Sequence, residues 1–204
     1  MSTNLSKWLK YYHLLWFWIL KGDIVIYVTS DTHFGDKNII RYIHRPFNSV
    51  EEMDETIIQN INSKVKREDI LYVLGDFTMN GTLSTCQNYL NKIVCDNVYL
   101  IRGNHDLLLY HGTTPFKYIK DYTELFKFTT YFILSHYPFS SWNRKEVGSI
   151  MLHGHLHSDK RSNEINQWQG LRRFDVGVDA NDFTPVSLEY IRDFFGKSLT
   201  EIFK

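Results

Sequence analysis

The chain has 204 residues, and its 23 lysines and arginines balance its 23 aspartates and glutamates, so it carries no net charge when its histidines are neutral. This balance excludes a strong electrostatic attraction of the whole molecule to DNA or to anionic membranes, although a local site for nucleic acid stays open. The length predicts one domain with a substantial core, and the composition is that of a globular protein.

Residues 1–22 are predicted to be an N-terminal appendage, with the catalytic domain taking residues 23–204. The apolar run 14–20 is too short to span a bilayer, and no contact with a membrane is expected. Two interpretations stay open. The appendage is an amphipathic or interfacial helix, or it is not a natural part of the protein and translation starts at Val25.

Both cysteines of the chain, Cys86 and Cys95, are expected in the core. Cys86 shares the apolar face of a predicted helix with Leu83 and Leu90, so we expect small buried residues and neither a disulfide nor a metal pair. This use of cysteine predicts a cytoplasmic protein.

Strands and helices alternate in the first half of the chain, and strands dominate the second half. Continuous apolar, β-branched runs predict buried strands at 24–29, 70–74, 98–101, 128–134, 150–152 and 174–178. Ser49 followed by Glu52 predicts the start of a helix, a second helix is predicted at 83–93, and Ser187 is predicted to cap a last helix that runs through Phe195. This order predicts an α/β fold in which helices cover one sheet or two stacked sheets.

Five short motifs stand where predicted strands give way to loops. They are Asp31-Thr32-His33, Gly75-Asp76, Gly103-Asn104-His105-Asp106, Ser135-His136 and His153-Gly154-His155-Leu156-His157. In open α/β folds, sites collect at the carboxyl ends of the strands. We therefore expect the side chains of all five motifs to meet at one edge of the fold.

The residue types in these motifs suit a pair of divalent metal ions. The candidate ligands are Asp31, His33, Asp76, Asn104, His136, His155 and His157. Asp31 and His33 are two residues apart, so in an extended chain their side chains project to the same side. Asp76 has two carboxylate oxygens with which to bridge two ions. His155 and His157 could serve the two ions separately, or one of them alone could be a ligand.

The motifs resemble, in this order, the signature D-x-H, G-D, G-N-H-D/E, H and G-H-x-H of the metallophosphoesterase superfamily, also called calcineurin-like phosphoesterases. The resemblance runs from about residue 24 to residue 195. It looks closest to the small single-domain phosphoesterases of bacteria and their phages, which the segments 30–35 and 182–188 also match. It implies a four-layer sandwich of two stacked β-sheets flanked by α-helices, with a metal site at the C-terminal ends of strands.

The resemblance also implies a role for each motif residue. The first ion would be held by Asp31, His33, Asp76 and His157. The second would be held by Asp76, Asn104, His136 and His155. His105 would be the catalytic histidine, and Asp106 would orient it. The cofactors implied are two divalent ions, manganese before iron, zinc or nickel.

The predicted activity is that of a metal-dependent phosphoric ester hydrolase acting on a small phosphoester or a nucleotide, with a phosphodiesterase favoured over a phosphomonoesterase. A hydroxide between two ions about 3.5–4 Å apart would attack phosphorus in line. His105 would protonate the leaving oxygen. The alternatives are a nuclease acting on DNA or RNA and a catalytically weak metal-binding scaffold.

Two departures from the family pattern bear on the substrate. After Gly75-Asp76, the chain lacks the Asp-Arg-Gly of protein Ser/Thr phosphatases and dinucleoside tetraphosphate hydrolases, which argues against those activities. Asp36 stands where the family usually has a histidine, and we expect it at the rim of the site, where it would affect substrate fit.

Three arginines, Arg41, Arg45 and Arg144, are candidates for binding the substrate. They lie in segments that could bring positive charge to the cleft, and a solvated surface is the alternative for each of them. His153 is expected to be structural and not a metal ligand.

Overall fold

A computed structural model describes residues 23–79, 82–106 and 114–196. In these residues, the larger of two sheets has the strand order β4-β3-β2-β1-β9. Its strands are β1 (Ile26–Thr29), β2 (Ile70–Val73), β3 (Asn97–Ile101), β4 (Ile119–Lys120) and β9 (Val186–Ser187). Strands β1 to β4 are parallel to their neighbours, and β9 pairs with β1 in the antiparallel direction.

The second sheet has the order β5-β6-β7-β8. Its strands are β5 (Thr123–Lys127), β6 (Thr130–Leu134), β7 (Ile150–His153) and β8 (Arg173–Asp175). Strands β6, β7 and β8 are parallel, whereas β5 and β6 form a hairpin. Parallel strands end at the same edge of a sheet, so the loops that follow β6 and β7 lie side by side.

The helices that pack against these sheets are α1 (Lys37–Tyr42), α2 (Val50–Lys64), α3 (Leu83–Leu90), α4 (Ser162–Trp168) and α5 (Leu188–Gly196). The predicted caps are present. The Ser49 hydroxyl accepts from the backbone N–H of Glu52 at 3.1 Å, and the Ser187 hydroxyl accepts from the N–H of Tyr190 at 3.1 Å. None of the helices in the described residues is long and apolar enough to cross a membrane.

The two sheets stack face to face through a shared apolar core. Val28 and Ile101 of the first sheet pack with Phe132, Leu152 and Phe174 of the second. The outer face of the first sheet packs against the apolar side of α2 and α3, where the free cysteines are also buried. The predicted α/β sandwich of two stacked sheets flanked by helices is therefore confirmed, as are the buried, unpaired cysteines.

The outer face of the second sheet has a thinner cover. Trp142, in the loop after β6, packs on Ile133 and Met151, and helix α4 is tied to β8 by Asn163, whose side-chain oxygen accepts from the N–H of Asp175 at 2.7 Å. A loop thus supplies much of this layer.

Several element boundaries differ from the prediction. The fourth predicted strand, 128–134, begins only at Thr130, because Phe128 and Thr129 adopt left-handed φ angles of 51° and 61° and form the turn of the β5–β6 hairpin. Helix α3 ends at Leu90 instead of residue 93. The sequence analysis missed β4, β5, β9, α1 and α4. The predicted appendage 1–22 lies outside the described residues.

Candidate metal centre

The loops that follow β1 and β2 continue the pairing of their strands and so bring two motifs together. The backbone N–H of Asp31 donates to the carbonyl of Gly75 at 3.0 Å, and the N–H of His33 donates to the carbonyl of Asp76 at 3.0 Å. A third bond of 3.0 Å joins Phe34 to Phe77. These backbone contacts set the distance between the first carboxylate and the second.

Five of the seven candidate ligands have left-handed backbone conformations. They are Asp31 (φ 58°), His33 (48°), Asp76 (52°), His155 (69°) and His157 (46°). Such conformations are costly for residues with a side chain, and they cluster at functional sites in proteins. The predicted reason for the i, i+2 spacing is therefore wrong. The ligand atoms of Asp31 and His33 lie within 4.8 Å of each other although neither residue is in an extended conformation. His155 and His157 are not extended either.

One group of candidate ligands comprises Asp31, His33 and His157, whose ligand atoms all lie within 4.8 Å of one another. His157 Nε2 is 3.9 Å from Asp31 Oδ1. His33 is buried, and its ring centroid is 5.1 Å from that of His157. These residues come from the first and last motifs, which are more than 120 residues apart in sequence.

Asp76 stands at the centre of the cluster. Its Oδ2 is 3.6 Å from His33 Nε2, 3.5 Å from His136 Nε2 and 4.0 Å from His105 Nε2. One carboxylate oxygen thus faces imidazoles of three different motifs. The other oxygen, Oδ1, accepts the backbone N–H of His105 at 2.9 Å, which fixes the orientation of the carboxylate.

Asn104 lies between the imidazoles of His136 and His155. Its Oδ1 is 3.0 Å from His136 Nε2 and 3.1 Å from His155 Nδ1. The Nδ1–H of His136 donates to the carbonyl of Leu74 at 2.8 Å, since a carbonyl can only accept. In the neutral ring, Nε2 of His136 therefore presents a lone pair to Asn104 and to Asp76.

These residues fit divalent metal ions. Both ring nitrogens of buried His33 lack a hydrogen-bond partner among the described residues, a costly arrangement that a coordinated cation would relieve. The lone pairs of His136, Asn104 and Asp76 also converge without a proton donor between them. Mixed carboxylate, amide and imidazole donors suit manganese, iron and zinc.

Burial shifts the titratable groups of the cluster toward their neutral forms. It raises the pKa of Asp31 to about 8, opposed by the charge of His157 and assisted by that of Asp76. It lowers the pKa of His33 to about 2 and that of His136 to about 4. Neutral imidazole is the form that binds a metal ion, so both histidines are available as ligands over the physiological pH range.

His157 has a carboxylate partner behind it. Its Nδ1–H donates to Asp179 Oδ2 at 2.8 Å. Burial alone would lower the pKa of His157, but this hydrogen bond and the charges of Asp31 and Asp179 together raise it. Burial would likewise raise the pKa of Asp179, and the hydrogen bonds from His157 and Arg45 lower it instead.

The predicted substrate-binding role of Arg45 is wrong. Its side chain is 1% exposed and forms an ion pair with Asp179, in which Nε lies 2.8 Å from Oδ1. The guanidinium also donates to the backbone carbonyl groups of Asp31 and Thr32. Every polar group of this side chain is directed into the protein beneath the cluster, so it has none left for a substrate.

The predicted role of Asp106 also needs correction. Its buried carboxylate accepts the backbone N–H groups of Asp76 and Gly103 at 2.8 Å each and of Phe77 at 3.2 Å. Burial raises the pKa of Asp106, although these hydrogen bonds oppose the rise. Asp106 therefore joins the loops after β2 and β3, and the structure gives it no hydrogen bond to the ring of His105.

Asp36 and Arg144 also lie elsewhere than predicted. Asp36 is 5% exposed and caps α1 by accepting the N–H of Asn38 at 2.8 Å, so it is not on an open rim. The Arg144 guanidinium lies 4.2 Å from the ring centroid of Tyr131, at the start of β6. His136 follows the other end of that strand, roughly 16 Å away at about 3.3 Å per residue.

Two other predictions concern Arg41 and His153. Arg41 is exposed in the last turn of α1, and its substrate-binding role stays a prediction. His153 is buried, and its Nδ1–H donates to the carbonyl of Gly154 at 2.9 Å, which is a structural contact.

Gly154 is required by close packing. A Cβ at this position would lie 2.0 Å from Ser30 Oγ and 2.2 Å from Asp31 Oδ2. The next N–H, of His155, donates to both carboxylate oxygens of Asp31, at 3.1 and 2.9 Å. The His-rich turn therefore holds the first carboxylate directly through its backbone.

Two residues of the site were missed by the sequence analysis. Asp179 follows the predicted strand 174–178 immediately, so it carries the same strand-end signal as the five motifs. Tyr137 follows His136, and its ring packs edge-on against His136 and His155 with centroid distances of 4.9 and 4.8 Å. Because 45% of Tyr137 is exposed, an aromatic surface borders the cluster.

Two stacked sheets with a carboxylate and imidazole cluster at the strand ends define the class of metallophosphoesterases. The chain belongs to the calcineurin-like phosphoesterase family, whose model matches residues 24–199. Membership implies a metal-binding phosphoester hydrolase.

Relatives of this chain include proteins whose function is not described. An uncharacterized protein of Methanocaldococcus jannaschii, MJ1445, is 34% identical over 81% of this chain and 88% of its own length. The gene 66 protein of Mycobacterium phage L5 is 27% identical over 74% of this chain and 85% of its own length. A solved protein of unknown function from Aquifex aeolicus, AQ665, is 27% identical with a TM-score of 0.65, covering 84% of this chain and 99% of that one.

Proposed function

We propose that the protein is a cytoplasmic phosphodiesterase that uses two divalent metal ions, manganese before iron, zinc or nickel, to hydrolyse a small phosphoester or a nucleotide. The observation that carries this proposal is the convergence on one oxygen, Asp76 Oδ2, of imidazoles from three motifs. A carboxylate shared in this way is the bridge that two ions need.

The candidate ligands divide between two positions around this bridge. One ion would be held by Asp31, His33, Asp76 and His157. The other would be held by Asp76, Asn104, His136 and His155. When bound, the ions would activate water for attack on phosphorus and neutralise charge on the phosphoryl oxygens.

His105 is proposed as the acid that protonates the leaving oxygen. Its side chain is 34% exposed, whereas those of His33 and His136 are 2% and 0% exposed, so a substrate can reach it. Its backbone N–H donates to Asp76 Oδ1 at 2.9 Å, which holds the residue beside the carboxylate that would bridge the ions. A general acid must lie within hydrogen-bond reach of the atom that it protonates.

The arrangement of positive charge supports a diester substrate. A phosphomonoester carries up to two negative charges at neutral pH, and a diester carries one. Arg45 is engaged with Asp179, and Arg144 lies at the other end of β6, so two of the three arginines predicted to bind the substrate are elsewhere. The exposed ring of Tyr137 could contact an aromatic or nucleobase leaving group.

The test is hydrolysis by the manganese-loaded protein of bis-p-nitrophenyl phosphate, p-nitrophenyl phosphate and a nucleoside diester. We expect diester hydrolysis to exceed monoester hydrolysis. His105→Ala should keep both ions and lose about 10²–10⁴-fold in kcat on the nucleoside diester, with a smaller loss on the p-nitrophenyl esters, which need little protonation.

The matched control is His44→Asn, which changes an exposed histidine with a φ of 55° to a residue that tolerates this conformation. It should leave kcat unchanged. Wild-type protein that binds two ions and hydrolyses none of the esters would refute the proposal in favour of a metal-binding scaffold. Preferential cleavage of an oligonucleotide would favour a nuclease.

A further inference from the structure

We propose that the buried pair Arg45 and Asp179 positions two metal ligands, His157 and Asp31, and thereby sets the affinity of one of the two ion sites. The inference rests on the proposed function, because it takes both residues to be ligands. Arg45 and Asp179 would act through these ligands, so they are positioning residues.

The first step is the orientation of the imidazole. The Nδ1–H of His157 donates to Asp179 Oδ2 at 2.8 Å, so the proton of the neutral ring is on Nδ1. The lone pair of Nε2 then faces Asp31, whose Oδ1 is 3.9 Å away. A carboxylate behind a ligating histidine fixes its tautomer and makes it a stronger ligand.

The second step is the fixation of Asp179. Arg45 Nε donates to Asp179 Oδ1 at 2.8 Å, and Arg45 Nη2 donates to Oδ2 at 2.9 Å. This two-pronged contact allows one orientation of the carboxylate, and so one direction of the bond to His157.

The third step joins the pair to the other ligand. Arg45 Nη2 also donates to the backbone carbonyl of Asp31 at 2.7 Å, and Nη1 donates to the carbonyl of Thr32 at 3.2 Å. Asp31 has a left-handed φ of 58°, a conformation that needs support from its surroundings. One guanidinium therefore holds the backbone that presents Asp31 and the carboxylate that orients His157.

A purely structural role is the competing explanation. Buried ion pairs are weak evidence for stability, because desolvation of the two charges offsets their attraction. Here both members of the pair contact candidate ligands. Among the described residues, the only main-chain oxygens that accept a hydrogen bond from the Arg45 guanidinium are those of Asp31 and Thr32, in the first motif. This distribution of contacts favours positioning.

The experiment is a titration of the metal-free full chain with Mn²⁺, followed by calorimetry, and with Co²⁺, followed by its visible absorption. Asp179→Asn should weaken binding of one ion about 10- to 100-fold and leave the other within about threefold. Asp96→Asn is the matched control. It breaks the exposed pair of Arg67 and Asp96, with 3.0 Å between Nη1 and Oδ1, and should change neither ion.

A double-mutant cycle separates positioning from general loosening. His157→Ala should weaken the same ion, and Asp179→Asn added to it should have little further effect, because the group through which Asp179 acts is gone. Independent, multiplicative losses would overturn the proposal, as would Asp179→Asn protein that binds both ions like the wild type.

The same titrations test the proposed function separately. If the wild type does not bind two ions, or if His157→Ala binds both normally, the ligand assignment fails, and the positioning role fails with it. If His157→Ala loses one ion while Asp179→Asn does not, only the positioning role fails.

Asp179→Asn leaves a buried guanidinium without its carboxylate, so the variant could unfold. Circular dichroism and thermal unfolding check this. Arg45→Lys then decides, because lysine keeps the charge but cannot contact Asp179 and the two carbonyl groups with one planar fork. We expect at least threefold weaker binding of the same ion in this variant, and wild-type binding of both ions would overturn the proposal.

Discussion

Asp106→Asn distinguishes two roles for a buried carboxylate. In the structure Asp106 accepts three backbone N–H groups, of Asp76, Phe77 and Gly103, from the loops after β2 and β3. Asparagine offers one acceptor oxygen in place of two. With this oxygen at the Oδ2 position, Asp76 and Gly103 keep a neutral acceptor, but the amide nitrogen faces the N–H of Phe77.

The cost follows from these contacts. A buried N–H without an acceptor costs about 1–3 kcal/mol, and two hydrogen bonds that lose their charged acceptor lose about 1 kcal/mol each. We therefore expect the free energy of unfolding of Asp106→Asn to fall by about 3–5 kcal/mol. Single domains have about 5–15 kcal/mol of stability, so most of the variant should stay folded.

Urea unfolding of the metal-free protein measures this change, and hydrolysis assays measure its effect on activity. Because Asp106 anchors the backbone at Asp76 and next to Asn104, the variant should bind both ions more weakly. It should also lose activity equally on esters with good and poor leaving groups. Asp96→Asn, at an exposed aspartate, is the control and should change stability by less than about 0.5 kcal/mol.

The opposite result would refute this reasoning. If Asp106→Asn had wild-type stability and metal content but lost activity selectively on poor leaving groups, it would resemble His105→Ala. Asp106 would then orient the catalytic histidine during turnover, as the family resemblance implies, and the hydrogen bonds to the backbone would be incidental.

Three further predictions concern the bridge, a glycine and the domain boundary. Asp76→Ala should lose most of both ions, because it removes the shared carboxylate; two ions per chain by metal analysis would mean that the bridge lies elsewhere. Gly154→Ala puts a Cβ 2.2 Å from Oδ2 of the candidate ligand Asp31; it should lower the free energy of unfolding by about 1–3 kcal/mol and weaken metal binding. In the control Gly196→Ala, the new Cβ would have no neighbour within 4 Å among the described residues, so neither stability nor metal binding should change. A chain that begins at Ile24 should fold and keep its metal-dependent hydrolysis; an insoluble or inactive product, alongside an active full chain, would make residues 1–23 part of the fold.

The strands that carry the site could be predicted, because their two faces are both covered. Strands β2 and β7 are buried on both sides, so they appear in the sequence as continuous apolar runs that stop at a polar residue. The edge strand β5, Thr123–Lys127, is half-exposed and mixes polar with apolar residues, so no such run marks it. Its turn uses Phe128 and Thr129 in left-handed conformations, without the glycine or asparagine that would have indicated a hairpin.

The motifs predict the candidate ligands, but the contacts behind these residues could not be predicted. Arg45 and Asp179 are 134 residues apart, one after helix α1 and the other in a short 3-10 helix at Val178–Ala180, so no local pattern joins them. A positive charge near a strand end is equally consistent with a phosphate-binding group. Only the fold shows that the chain turns back after α1, so that the Arg45 side chain contacts the first motif from the buried side.

The backbone of the centre explains why these contacts are needed. Asp31 and Asp76 hold left-handed conformations that an isolated chain would leave, so each must be fixed by hydrogen bonds from elsewhere. Arg45 holds the carbonyl of Asp31, and Asp106 holds the N–H of Asp76. The main chain of each of these two aspartates is thus bound by a buried ionisable residue, and their side-chain oxygens lie close to imidazoles. Arg45, predicted to bind substrate, and Asp106, predicted to orient His105, therefore share a feature that the sequence does not show: each binds the strained backbone of a candidate ligand.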